Sequence, residues 1–183
     1  MEKLAISDLE NNAAYQNILS RTSIRRFADR EVDGALKEAV VRAGMSAPSG
    51  VNMQPWEFVL IDDADILQAL ADALPYAKMT AAAPFAVAVC GNESRFLEGE
   101  DSTLWVQDVS AASENILLAA HALGLGAVWT CLYPHADRMK AASDILSLPE
   151  GIIPFSLIPV GYPEKEHAPI CKWHPERMHR NRF

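Results

Sequence analysis

The sequence has few cysteines, a deficit of positive charge and no long apolar run, and each shortage excludes a class of protein. Its three cysteines, Cys90, Cys131 and Cys171, lie far apart without a CxxC pair, so we expect reduced thiols in a cytoplasmic protein. The formal net charge of −8 argues against general nucleic-acid binding. No apolar run reaches the roughly 20 residues of a membrane span. The acidic N-terminus lacks the apolar segment of a signal peptide.

What remains is a chain of ordinary globular composition. Its 183 residues, 50% of them apolar, predict one domain over residues 1–183. Apolar residues at helical spacing predict helices from the Ser7 and Glu10 capping box to about Leu19, over 32–45, over 63–74, from about Ser102 to Leu123, and over 136–146. Apolar runs predict strands at 56–61, 84–90, 126–132 and 154–163. This order predicts an α+β or three-layer α/β domain, in which residues 164–183 form a tail without an apolar period.

Seven of the sixteen Lys and Arg residues lie in two short segments, RTSIRR at 21–26 and the terminal KWHPERMHRNRF. In an extended chain Arg21, Ser23 and Arg25 project to the same side, because successive side chains alternate. Two guanidinium groups and a hydroxyl suit a phosphate dianion, although a solvated surface loop is the alternative interpretation. No GxGxxG motif follows a predicted strand, so a Rossmann cofactor site is not expected.

The segment APSGVNMQPW, at 47–56, predicts a rigid loop rich in amide groups between a helix and a strand. Pro48 and Pro55 fix the backbone and remove two N–H donors. Asn52 and Gln54 each offer a donor and an acceptor, which is the mixed pattern that the edge of a planar heterocycle requires. Ser49 adds a hydroxyl, and Gly50 permits close approach of the backbone. The alternative is a structural turn that caps the preceding helix.

Taken together in order, RTSIRRF, APSGVNMQPWEFVLI, WVQDVSAASENILLAAHALGLGAVW and the terminal HRNRF resemble the flavin-dependent nitroreductase family over residues 18–183. The resemblance implies a three-layer α/β/α fold with a mixed sheet flanked by helices, in an intertwined homodimer. It implies an FMN-dependent NAD(P)H oxidoreductase that works by ping-pong hydride transfer through the flavin. The implied acceptors are small aromatic compounds such as nitroaromatics or quinones.

The resemblance also implies roles for individual residues. Arg21, Thr22, Ser23 and Arg25 would hold the FMN phosphate, and Arg182, or alternatively Arg180, would close on it from the tail. The loop would come from the other subunit and lie against the flavin. A backbone N–H of the turn after the third strand would reach flavin N5, and Gln107 could reach the flavin or the substrate. The loop and turn residues in this set are Pro48, Ser49, Gly50, Asn52, Gln54, Trp129, Thr130, Cys131 and Leu132.

Other candidates have structural interpretations. His174, His179 and Glu176 match no usual zinc spacing, so no metal is expected. We expect Cys131 to be a small buried apolar residue rather than a redox thiol. Two alternatives in function stay open: a flavin-binding module without turnover, and a relative that dehalogenates aromatics or fragments its own flavin.

Overall fold

The computed structural model describes residues 10–183, which form five helices and five strands. The helices are α1 (Ala13–Ser20), α2 (Gly34–Met45), α3 (Ala64–Ala73), α4 (Trp105–Ala122) and α5 (Ala136–Leu146). The strands are β1 (Trp56–Ile61), β2 (Phe85–Asn92), β3 (Gly126–Ala127), β4 (Thr130–Cys131) and β5 (Ile152–Gly161). No helix within this part of the chain has the length and apolar character needed to cross a membrane.

The sheet is built around the pair β2 and β5. Its strand order is β1-β2-β5-β3, with β4 also pairing with β5, and these pairings are antiparallel. Within residues 10–183 the parallel component is a single bridge between Ser23 and Ala127. This bridge joins the first basic segment to the far edge of the sheet.

Helices cover both faces of the sheet because β2 is apolar on both sides. Val87 and Val89 face a cluster that includes Ile116 of α4, whereas Ala88 faces a cluster with Leu70 of α3. Complete burial of a valine, leucine or isoleucine side chain stabilises the fold by about 1.5–3 kcal/mol. The predicted three-layer α+β fold is therefore confirmed.

Cys90 lies on β2 opposite a bulge in β5, where the pairing passes from Val89–Ser156 to Cys90–Pro154 and leaves Phe155 unpaired. Its side chain is fully buried in the cluster that α3 and α5 cover. Burial, together with the charge of Glu57, raises the pKa of the Cys90 thiol to about 12. This thiol is therefore part of the core.

The predicted strand at 126–132 is wrong in extent, because it is two short strands with a break at Val128 and Trp129. The register places Val128 opposite Pro159 of β5. A proline has no N–H to return to its partner, so the ladder cannot be completed at this point.

One predicted helix start differs from the structure, and another falls outside the described residues. α1 begins at Ala13, where Asn12 is the cap and its Oδ1 accepts from the Tyr15 N–H at 2.9 Å. The predicted cap at Ser7 lies outside the described residues. α4 begins at Trp105 and not at Ser102, because residues 99–103 form a 3-10 turn.

Trp105 closes the core at the start of α4. Its ring stacks on Phe96 with ring centroids 4.7 Å apart. A Cβ at Gly91 would lie 2.6 Å from the Trp105 ring, so only glycine lets β2 pass beneath the indole.

Candidate functional site

The segment 21–25 leaves α1 and runs in an extended conformation beside β3. Ser23 bridges Ala127, and the Ile24 N–H donates to the Ala127 carbonyl at 3.0 Å. Ile24 is buried, whereas Arg25 is exposed and Arg21, Thr22 and Ser23 are half-buried. The segment therefore inserts one apolar side chain into the core and leaves the predicted phosphate-binding side chains at its surface.

Gly126 permits this close approach. A Cβ at Gly126 would lie 2.6 Å from Ile24 Cβ, which no real pair of side chains tolerates. Gly126 is the last residue of the Gly-Leu-Gly sequence at 124–126. Its missing side chain lets the basic segment pack against the sheet.

Arg21 is held at the end of α1. Its Nε lies 3.5 Å from Glu114 Oε1 on α4, and its side chain is 15% exposed. Next to it, Ser20 Oγ and His121 Nε2 are 2.7 Å apart. Burial, together with the charge of Arg21, lowers the pKa of His121. His121 is thus a partnered, half-buried histidine that helps to fix the end of α1.

The loop at 47–55 has an unusual backbone. Val51, Asn52 and Gln54 have φ values of 49°, 59° and 49°, in the left-handed region that non-glycine residues seldom adopt. The bonds that support the loop include three with side chains. Ser49 Oγ accepts from the Gln54 N–H at 2.9 Å, the Gly50 N–H donates to Asp108 Oδ1 at 3.0 Å, and Arg95 Nη1 donates to the Gln54 carbonyl at 3.3 Å. The surrounding chain thus holds a strained conformation, as is common at ligand-binding sites.

The amide side chains of this loop are not what braces it. Asn52 and Gln54 are exposed, and neither side chain forms a hydrogen bond with another residue of 10–183. The side chains that brace it are those of Ser49, Asp108 and Arg95. The predicted amide groups are therefore accessible to a ligand.

Asp108 was not identified from the sequence, although it fixes the loop to α4. The carboxylate is buried, with 9% exposure, on the helical face that also carries Val109 and Ala112. The signal in the sequence was a single carboxylate on an otherwise apolar face of the predicted helix. The adjacent Gln107 is exposed on the first turn of α4 and forms no side-chain bond within the described residues.

The turn after the break in the sheet lies beside the first basic segment. A cavity of about 360 Å³ is lined by Arg25, Pro75, Tyr76, Met79, Val128, Trp129, Thr130, Cys131 and Arg138. We call it the turn cavity. It brings Arg25 together with three of the four predicted turn residues, which are about 100 positions away in the sequence.

The four turn residues divide between core and cavity. Thr130 Oγ1 donates to the Leu157 carbonyl at 2.7 Å, and Leu132 is buried in the core. Trp129 lines the cavity, and its Nε1 is buried without a hydrogen-bond partner among the described residues. Cys131 is exposed and not buried as predicted, because β4 ends there at the surface.

The tail runs along the surface. Its start is fixed where the Glu164 N–H donates to the Arg26 carbonyl at 3.1 Å and Phe27 bridges Pro163. Arg180 and Arg182 are exposed, and neither guanidinium forms a bond or ion pair with another residue of 10–183. The phosphate contact of Arg182, or alternatively Arg180, stays a prediction.

Two other candidate sites do not involve the predicted flavin residues. A cavity of about 720 Å³ near Phe27 and Pro84 contains the Lys37–Asp62 ion pair, whose atoms are 2.7 Å apart. That pair lowers the pKa of Asp62.

Within residues 10–183, no group of three or more His, Cys, Asp and Glu side chains is placed to hold a metal ion. His174 Nδ1 lies 3.0 Å from Glu176 Oε1.

Comparison with known proteins identifies the family. The sequence model of the nitroreductase family matches residues 18–75 and 72–162. A Methanothermobacter thermautotrophicus protein provisionally named NADH dehydrogenase/NAD(P)H nitroreductase is 44% identical over 162 residues, 88% of this chain and 83% of the relative.

Two solved structures share both the fold and the sequence pattern. A Bacteroides thetaiotaomicron protein of the same provisional name has a TM-score of 0.89 at 45% identity, covering 94% of this chain and 99% of that one. A provisionally named nitroreductase from Desulfovibrio desulfuricans, solved in complex with FMN, has a TM-score of 0.78 at 30% identity, covering 94% and 98%. The chain therefore belongs to the nitroreductase family, as its sequence motifs predicted.

Proposed function

We propose that this protein is an FMN-dependent NAD(P)H oxidoreductase that reduces nitroaromatic, quinone or related acceptors by a ping-pong mechanism. When bound, FMN supplies hydride transfer between a reduced nicotinamide and an acceptor. The names of the relatives support NAD(P)H as the hydride donor. A similar structure solved in complex with FMN supports FMN as the cofactor.

The observation that carries the proposal is the bridge between Ser23 and Ala127. It places the segment with Arg21, Ser23 and Arg25 beside the turn that starts at Trp129, although the two motifs are far apart in the sequence. A flavin nucleotide requires both an anion-binding group for its phosphate and a surface for its ring. The bridge brings these two requirements together.

The donors of the site fit this cofactor. Arg25 and Trp129 line the turn cavity, and the amides of Asn52 and Gln54 are accessible. In our proposal Arg21, Thr22, Ser23 and Arg25 bind the phosphate. The residues Pro48, Ser49, Gly50, Asn52 and Gln54 lie against the ring and the ribityl chain. Backbone groups of Trp129–Leu132 orient the ring edge, and Gln107 contacts the flavin or the substrate.

The proposed assembly is a homodimer in which the loop at 47–55 completes the partner's site. Large apolar side chains are exposed on several segments of this chain, including Ile18 at 56%, Val51 at 82% and Trp173 at 65%. Apolar exposure of this extent is typical of an interaction surface. The tail at 164–183, with Arg180 or Arg182, is proposed to join the cofactor site or the dimer. The free cysteines agree with a cytoplasmic protein.

The competing function is a flavin-binding module without turnover, and one experiment distinguishes the two. The purified protein is loaded with FMN and mixed anaerobically with NADH or NADPH. We expect the absorption of oxidised flavin near 450 nm to disappear and to return on addition of a nitroaromatic or a quinone. FMN that stays oxidised indicates the module, and absence of FMN binding contradicts both functions.

A further inference from the structure

The turn cavity contains a second guanidinium, that of Arg138, which no sequence motif had indicated. Arg25 and Arg138 both line it, and none of its lining residues is acidic. The ion pairs of the described residues include neither arginine. Two unneutralised cations therefore share a cavity of about 360 Å³.

Arg138 is poorly satisfied by the protein itself. Its Nη1 donates to the Cys131 carbonyl at 3.1 Å, but its Nε is buried without a partner among the described residues. The nearest ring, that of Tyr76, lies 5.8 Å from the guanidinium carbon. The protein alone therefore satisfies this charged group incompletely, which is unfavourable.

The position of Arg138 in the fold is also unfavourable without an anion. It is in the first turn of α5, which begins at Ala136. The dipole of a helix favours negative charge near its N-terminus and disfavours a cation there. Tyr76, at the mouth of the same cavity, is 80% exposed and has a φ of 64°, which is strained for an aromatic residue.

From these observations we propose that Arg138, beside Arg25, binds an anionic oxygen of the flavin nucleotide. The proposal rests on the proposed function and deepens it. The anionic group is either the phosphate or the pyrimidine edge of the ring, which becomes negative on reduction. Arg138 is a cofactor-binding residue in both cases, since its guanidinium offers the remaining donors to that oxygen.

The test compares Arg138→Gln with wild type and with Lys140→Gln. Lys140 is on the same helix, but it forms an exposed pair with Asp144 and does not line the cavity. The dissociation constants of FMN and riboflavin are measured by fluorescence quenching, and the midpoint potential of the flavin-loaded protein by anaerobic titration. Arg138→Lys is a second variant that keeps the charge but not the planar fork.

If the phosphate is the partner, Arg138→Gln should weaken FMN binding about 10- to 100-fold and leave riboflavin binding unchanged. If the ring edge is the partner, the midpoint potential should fall, with Arg138→Lys nearer to wild type. The proposal is overturned if Arg138→Gln and Arg138→Lys both have the same FMN affinity and the same flavin midpoint potential as Lys140→Gln. Wild-type protein that binds no flavin refutes the proposed function instead.

Discussion

At the scale of single residues, Asn52 combines an unusual backbone with an available side chain. Its φ of 59° suits asparagine better than most residues, because the short amide tolerates the left-handed region. The preceding Val51, at φ 49°, is β-branched and gains nothing from this conformation. The strain is therefore maintained by the surrounding contacts and presents the Asn52 amide outward.

We predict that Asn52→Asp weakens FMN binding and lowers the reduction potential of the bound flavin. The substitution replaces a donor by a negatively charged acceptor where the reduced flavin develops its own negative charge. The melting temperature of the apo-protein should change little, because the side chain forms no bond within the described residues. Potentiometric titration and thermal unfolding measure the two effects.

Asn115→Asp is the matched control for this experiment. The Asn115 side chain donates from Nδ2 to the Ala43 carbonyl at 3.1 Å and is half-buried. Losing this bond should lower the free energy of unfolding by about 1 kcal/mol without moving the flavin potential. If Asn52→Asp behaves like Asn115→Asp, the loop amide is structural and the flavin contact is wrong.

At the scale of elements, the contact between the loop and α4 determines the shape of the site. The Gly50 N–H donates to the Asp108 carboxylate inside the protein. We predict that Asp108→Ala lowers the free energy of unfolding by about 1.5–3 kcal/mol, because a bond to a buried charged group is lost. It should also weaken FMN binding as the loop loses its conformation. Chemical denaturation and FMN titration measure these changes.

Two further variants isolate the contact. Asp108→Asn keeps an acceptor oxygen and should retain most of the affinity for FMN. Asp144→Ala removes an exposed partner of Lys140 and should change stability by less than about 0.5 kcal/mol. Asp108→Ala with wild-type FMN affinity would show that the loop holds its shape without α4.

The elements differ in how far the sequence could predict them. β1, β2 and β5 were predicted because each is a nearly continuous apolar run, which is a local signal. The division of the third strand depends on Pro159, which comes about 30 residues later and is brought opposite Val128 only by folding. The contacts of Asp108 and Arg138 are likewise non-local, so no spacing rule could find them.

At the scale of the whole molecule, the proposed site requires two copies of the chain. We predict that two double variants each bind FMN weakly. One carries Arg21→Ala and Arg25→Ala, and the other carries Asn52→Asp and Gln54→Glu. Losing one arginine alone should reduce affinity roughly 10- to 150-fold. Heterodimers of the two variants, co-expressed with different tags, should recover about one FMN per dimer at wild-type affinity.

The reason is geometric. If the loop of one chain completes the site of the other, one of the two sites in a heterodimer combines an intact phosphate-binding segment with an intact loop. A loop that acts within its own chain would leave both sites defective, and no binding would return. Sedimentation velocity at micromolar concentration verifies that the mixed species is a dimer, and a monomer that retains FMN would contradict the proposed assembly.

The reactivity of the buried Cys90 thiol can be used to measure local unfolding of the core. Because its pKa is raised to about 12, almost none of it is thiolate at neutral pH, and the core excludes reagents. Cys131 and Cys171 are exposed in the single chain, so their alkylation does not require the core to open. Modification of a third thiol then requires β2 to separate from the helices on its α3 side. The slowest labelling rate is therefore a direct readout of how often the centre of the sheet is exposed to solvent.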